Sequence, residues 1–220
     1  MQIQWLGQSC FKIQVKSPLG ETTIITDPYT EDCGLKLPRL TADIVTVSHE
    51  HKDHSDLSKI KGAEENQNPF VIKGPGEYEI KNVFVRGLPS SHDNEAGKKL
   101  GHNIIYVINA EGITLVHLGD LGQKELSPEQ LEFIEEADIL LAPVGGKYTI
   151  NGSEAANLVS QIEPRIVIPM HYKIPGLKID LDTADKFIKE MGNHKEEMDK
   201  LKITKKDLPQ EDTRLILLQV

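Results

Sequence analysis

Sulfur is scarce in this chain. Its 220 residues contain only Cys10 and Cys33, far apart and with no Cys-x-x-Cys, which argues against a disulfide framework and against a thiolate-bound structural zinc. Positive charge is also short: 25 Lys and Arg face 34 Asp and Glu, a net charge of −9. Broad, non-specific binding to nucleic acid needs the opposite balance and is disfavoured. No apolar run approaches the length of a membrane span. Met1-Gln2-Ile3-Gln4-Trp5 lacks the charged and apolar regions of a signal peptide. The expectation is a cytoplasmic protein acting on a small molecule, away from membranes, with homo-oligomerisation left open. No repeat, low-complexity segment or linker interrupts residues 1–220, and this length suits one domain that buries a core without help from metal.

Histidine, by contrast, is concentrated. Three of the eight His fall within six residues, in Ser48-His49-Glu50-His51-Lys52-Asp53-His54. An apolar run through Val45 and Val47 leads into them as a buried strand end. Side chains two apart on an extended chain point the same way, so His49 and His51 can reach one ion. Asp53 and His54 follow at a turn and can hold a second. Imidazole with carboxylate suits Zn, Fe or Mn. The plainer alternative is a solvated His cluster, with Asp53 or Ser55 capping a short helix over 56–60.

His-x-His-x-Asp-His after a hydrophobic strand resembles the metallo-β-lactamase superfamily, and the resemblance runs along most of the chain. Thr23-Ile24-Ile25-Thr26-Asp27 is similar to that family's early strand-end Asp. Leu88-Pro89-Ser90-Ser91-His92, Leu115-Val116-His117-Leu118-Gly119-Asp120 and Ile166-Val167-Ile168-Pro169-Met170-His171 are similar to its later motifs, in order. Trp5-Leu6-Gly7-Gln8-Ser9-Cys10-Phe11 resembles the branch of ascorbate-6-phosphate lactonase-like proteins, which often carry His where Gln8 stands.

The resemblance implies an α/β fold, a four-layer αββα sandwich. It implies two divalent metal ions, zinc foremost, with Mn or Fe as alternatives. His49, His51 and His92 would take one ion, Asp53, His54 and His171 the other, and Asp120 would bridge. Asp53, Asp120 and His171 would serve the catalysis. The implied activity is a dinuclear hydrolase using a hydroxide held between the ions on a small anionic ester, lactone or phosphodiester. The rivals are a nuclease or phosphodiesterase acting on nucleic acid, for which the chain leaves little room for a gripping arm, and a mononuclear iron dioxygenase. A diiron redox protein of this fold would carry Glu at the position of His51. A non-catalytic relative would have lost ligands.

Asp27 reads either as a carboxylate that orients a ligating His or as a strand-end turn before Pro28. His117 reads as a core or hydrogen-bonding residue, His102 as a residue that can line the site, and His194 as solvated. Val144-Gly145-Gly146-Lys147-Tyr148 follows a buried strand, where loops line ligand crevices, and its Gly-Gly can cradle an anion or form only a turn. Tyr172-Lys173 is placed to touch substrate. Alternating apolar residues predict early strands through Ile3–Trp5 and Phe11–Val15, a turn at Ser17–Gly20, and further strands at 22–26, 43–48, 70–72, 102–109 and 113–118. Residues 93–101 read as an exposed loop. Helices are expected over 127–136 with a Ser127–Gln130 capping box, and over 153–162, 183–191 and 195–201. Buried strands are expected at 138–142 and 165–170, with a final strand at 213–220.

Overall fold

The computed structural model describes residues 1–18, 20–134 and 136–220; Leu19 of the expected turn and Glu135 of the expected helix lie outside the described residues. The early apolar alternation becomes β1 (Gln2–Gly7), β2 (Cys10–Ser17) and β3 (Gly20–Thr26). Short strands β4 (Leu40–Ala42), β5 (Ile44–Thr46), β6 (Ile60–Gly62) and β7 (Phe70–Ile72) follow. Next come β8 (Gly76–Ile80), β9 (Val83–Ser91), β10 (His102–Ala110) and β11 (Ile113–His117). The second half alternates: α1 (Pro128–Phe133), β12 (Ile139–Pro143), α2 (Gly152–Ile162), β13 (Ile166–Met170) and α3 (Asp185–Glu190). It closes with β14 (Glu196–Met198), β15 (Leu201–Lys202) and β16 (Arg214–Leu218).

Among the described residues these strands form a six-stranded sheet, β15-β1-β2-β3-β5-β7, and an eight-stranded sheet, β14-β16-β13-β12-β11-β10-β9-β8, with β4 and β6 as a separate pair. The alternation of strand side chains explains how the sheets stack. One face of each supplies a shared core containing Trp5, Phe11, Ile24, Ile44, Tyr106, Leu115, Leu141 and Ile168. The other face of the eight-stranded sheet packs Ile105, Val107, Val116, Leu140 and Val167 against Ala155, Leu158, Val159 and Phe187 of the helices. The outer face of the six-stranded sheet, with Cys10, Ile25 and Val45, is covered by Tyr29, Cys33, Leu35, Leu37, Ala42, Ile60, Leu177 and Leu181. This is the expected four-layer arrangement. On that outer side, however, a 3-10 turn (Glu31–Cys33), loops and the β4–β6 pair fill the layer where helices were expected. No helix among the described residues is long and apolar enough to cross a membrane.

Two expected helices are strands or turns instead. Residues 56–60 form no helix: Asp56 accepts the backbone N–H and hydroxyl of Ser58, an Asx turn that sends Ile60 into β6. Residues 195–201 become β14 and β15, because the Glu196 carboxylate grips the Arg214 guanidinium and β14 completes the sheet beside β16. Charged residues there fit a helix face equally well, and the neighbouring edge decides between them. Helix α1 does carry the complete Ser127–Gln130 capping box.

Strand direction gathers the candidate residues. β3 and β5 run parallel, β11 and β13 both run parallel to β12, and β9 shares their direction through the antiparallel β10. The C-terminal ends of β3, β5, β9, β11 and β13 therefore meet at one rim of the sandwich. Asp27, His49, His92, Asp120 and His171 leave from those five ends.

Candidate metal centre

Three overlapping groups of potential ligand atoms, each group within 4.8 Å, occupy this rim: His49 with His51 and His92; His49 with His54 and Asp120; and Asp53 with His54 and His171. All seven residues singled out in the sequence come together. The ring centroids of His49 lie 4.6 Å from those of His51 and His92, and 4.3 Å from that of His54. The chain turns at 51–54, with His54 N–H donating to the His51 carbonyl at 2.9 Å, so His54 folds back towards His49.

His49 Nε2, His54 Nε2 and both ring nitrogens of His171 are buried without a hydrogen-bond partner. Asp120 Oδ2 sits 3.1 Å from His54 Nε2, 3.2 Å from His171 Nε2 and 3.5 Å from His92 Nε2. The first two nitrogens come this close without hydrogen-bond alignment. Two ligands bonded about 2.1 Å from one tetrahedral ion lie about 3.4 Å apart, so this spacing is that of donors sharing a coordination sphere. Burying so many unsatisfied nitrogens is costly unless something accepts their lone pairs. The residues present fit a metal.

Protonation fits too. Burial above all pushes His49 down to about 3 and also lowers His51 and His171, leaving neutral imidazoles. Burial opposes ionisation of Asp53, but the neighbouring His54 imidazole outweighs it and holds the carboxyl at about 2. His54 is different. Burial pulls it down, yet Asp120, Asp27 and Asp53 together raise it well above the ordinary histidine value. Three carboxylates favour a positive charge at that point, and a cation bound there would take the place of the proton.

Asp27 orients both halves of the cluster. It is fully buried, and its oxygens accept the Ser48 N–H at 2.7 Å, the Ser48 hydroxyl at 2.6 Å and His54 Nδ1 at 3.2 Å. The Ser48 hydroxyl, donating to Asp27, must accept from His49 Nδ1 at 3.0 Å. Both imidazoles therefore carry their proton on Nδ1 and turn Nε2 inward. Burial opposes its charge, but the His54 hydrogen bond and the nearby His117, His54 and His49 hold the Asp27 carboxyl below the usual range.

Asp120 is held by a different set. Its N–H donates to Asn103 Oδ1 at 2.9 Å, and its Oδ1 accepts from Ser9 Oγ at 3.2 Å. His117 is buried and braces the turn: Nε2 donates to the Ser9 carbonyl at 2.8 Å and Nδ1 accepts the Gly119 N–H at 3.1 Å. Gly119 is required there, since its φ is +57° and a Cβ would meet Asn103 Oδ1 at 2.3 Å. Gln8, Asp27 and His171, none of them glycine, also have positive φ, at 51°, 37° and 50°. Such strain tends to collect at functional sites.

Several sequence readings fail here. His102 is exposed and outside the cavity wall. Lys147 points to solvent and pairs with Asp180 at 2.5 Å. The Gly145-Gly146 turn is no anion cradle: Gly146 N–H donates to the Ile150 carbonyl, and a Cβ on Gly145 would sit 2.1 Å from the His171 carbonyl oxygen. That glycine exists to let His171 approach. Tyr172 stacks on Trp5 with centroids 5.0 Å apart, and Lys173 donates to the carbonyls of Leu177 and Ile179. Sequence reasoning missed Ser9, Ser48, Asn103, Leu100, Tyr148 and Ile179. Ser9, Ser48 and Tyr148 stood inside blocks already singled out, but nothing in the sequence flagged Asn103, Leu100 or Ile179.

The sequence model of the β-lactamase superfamily domain matches residues 2–171. The chain is similar to the UPF0173 metal-dependent hydrolase of Thermoplasma acidophilum, at 30% identity over 207 residues, 84% of this chain and 87% of the relative. It is similar to a UPF0173 metal-dependent hydrolase of Thermococcus onnurineus, at 28% over 211 residues, 86% of this chain and 92% of that one. A solved structure from Thermotoga maritima superposes with a TM-score of 0.78 at 36% identity, covering 99% of both chains. With the histidine and aspartate motifs assembled on this scaffold, the chain belongs to the metallo-β-lactamase superfamily.

Proposed function

We propose that the chain is a dinuclear metal-dependent hydrolase of a small anionic ester, lactone or phosphodiester. The observation that carries this reading is the ring of buried imidazole nitrogens without protein partners around Asp120 Oδ2. The description of its relatives as metal-dependent hydrolases supports the reaction class, and the Thermotoga maritima protein is provisionally described as Zn-dependent.

His49, His51 and His92 would hold one ion, and Asp53, His54 and His171 the other, with Asp120 between. When bound, a divalent ion such as Zn, Mn or Fe lowers the pKa of water and polarises the group to be attacked. The chain's own residues do the rest. Asp27 and Ser48 fix the inward tautomers of His49 and His54. Asp53 is partly exposed and lines the cavity, so its ionised carboxylate can accept a hydrogen bond from the attacking water. Gln8 Nε2 approaches that carboxylate at 3.4 Å. His51, the exposed member of the cluster, borders the entrance.

Protein loaded in turn with Zn, Mn and Fe, its metal content counted by mass spectrometry, should be assayed on esters, lactones, thioesters, phosphodiesters and cyclic nucleotides. Two ions per chain with hydrolysis of one class is the expected result. A fully loaded protein inert towards every class would overturn the reading, and one ion per chain at full activity would overturn its dinuclear part.

A further inference from the structure

The cavity at the metal rim has a volume of about 260 Å³ and two kinds of wall. The candidate ligands form one part. Leu100, Tyr148 and Ile179 form the rest, each from a different loop and each held in place by dedicated hydrogen bonds. Leu100 ends a loop that winds around the Asp93 carboxylate, which accepts the backbone N–H groups of Glu95, Gly97, Lys99 and Leu100 at 2.7 to 2.9 Å. Tyr148 tops a tight turn closed by its own N–H on the Gly146 carbonyl at 2.6 Å, and the residue is left 45% exposed. The carbonyl of Ile179 accepts Lys173 Nζ at 3.0 Å.

Three cations near these loops are engaged elsewhere, and two more, Lys98 and Lys178, are exposed and outside the cavity wall. Lys147, beside Tyr148, pairs with Asp180. Lys99, beside Leu100, pairs with Glu95. Lys173 caps the carbonyls of Leu177 and Ile179. Among the described residues, no Lys or Arg lines the cavity. A second charged group on the substrate, remote from the ions, would lie against Leu100, Ile179 and the Tyr148 ring and lose hydration without gaining an opposite charge. An alkyl or aryl group would gain from the same surface.

Building on the hydrolase reading, we propose that the substrate is an ester or lactone whose acyl or ring side carries a short apolar arm, seated against Leu100, Tyr148 and Ile179. Water adds across the acyl C–O bond, yielding the carboxylate, the alcohol and one proton, and the apolar arm stays with the carboxylate. Tyr148 is the specificity residue, because its ring is the largest of the three surfaces and stands exposed before any ligand covers it.

Two measurements test this on metal-loaded protein. The first is kcat/KM for p-nitrophenyl esters from acetate to octanoate. It should rise about three- to fourfold per methylene, the increment expected for a buried CH₂, until the chain outgrows the cavity. Tyr148→Phe should keep that slope and Tyr148→Ala should flatten it. The second is calorimetric binding of the free carboxylates, acetate to octanoate, which reads the pocket without turnover and should show the same slope with the same response to Tyr148→Ala. A flat carboxylate series in the parent protein, or an undiminished slope in Tyr148→Ala, overturns the proposal even if esters are hydrolysed. A sloping carboxylate series with no hydrolysis of any ester, lactone or phosphodiester leaves the apolar pocket standing and overturns the hydrolase reading instead.

Discussion

The sandwich has a buried aspartate at each end of its β11–β12 region. Asp120 leaves the C-terminal end of β11, and Asp138 enters the N-terminal end of β12. Each is 2% exposed. Asp138 is satisfied by the protein: Lys205 Nζ donates to both oxygens at 2.9 and 2.8 Å, the Thr114 N–H donates at 2.8 Å, and Arg165 Nε lies at 3.4 Å. Asp120 has one hydroxyl donor, Ser9, and is otherwise ringed by imidazoles whose own nitrogens lack partners. The larger concavity, about 700 Å³, lies at the Asp138 end, and the metal rim has only about 260 Å³. Cavity size therefore points to the wrong end. What marks the functional end is an electrostatic account that the chain does not close by itself. The Asp138 end supplies its own cations, whereas the Asp120 end is built to receive them.

Removing each carboxylate should separate the two ends. Asp120→Ala should do the greatest harm. Loss of the carboxylate between both ligand sets should bring metal content to one ion or none per chain and activity to background, and two retained ions with near-parental turnover would show the assignment to be wrong. Asp27→Asn touches no ion but loosens Ser48, and through it His49, together with His54. Weakening of metal affinity by about 10- to 100-fold is expected, read by competition with a chromophoric chelator; unchanged affinity would reduce Asp27 to a turn residue.

At the other end, Asp138→Asn should leave metal content as it is. It leaves one oxygen to accept the Thr114 N–H and removes the charge facing Arg165 and Lys205, cations that are about half exposed and can return to water. The cost should be about 1–3 kcal/mol, a fall in Tm of about 2–4 °C per kcal/mol for a chain of this size. Loss of metal in this variant would erase the distinction between the ends. The smallest effect is expected from metal removal. Chelation should leave the far-UV circular dichroism intact, since the two sheets are held together by an apolar core of side chains that bind no ion; wholesale loss of structure would mean that the rim holds the fold together.

Much of the site was legible because its signal is local. His49, His51, Asp53 and His54 share one short segment, and a hydrophobic strand leads to each of the other ligands. The strands were legible for the same reason, as alternation along Ile3–Trp5, Phe11–Val15 and 113–118 depends only on neighbouring residues. The failures share a cause. Residues 195–201 carry charges that suit a helix face, and only the edge at β16 turns them into strands. Lys147 follows two glycines at a strand end, yet Asp180 draws it outward.

By itself the sequence determined which residues can bind metal and that strands deliver them, because residue chemistry and backbone periodicity are local properties. The tertiary structure alone decided how those residues are held. Ser9 reaches Asp120 across 111 positions, Ser48 reaches Asp27 across 21, and Asn103 joins β9 to the turn after β11. Each contact depends on which strands lie side by side and in what register. That register is set by the packing of two whole sheets, and no single segment carries it.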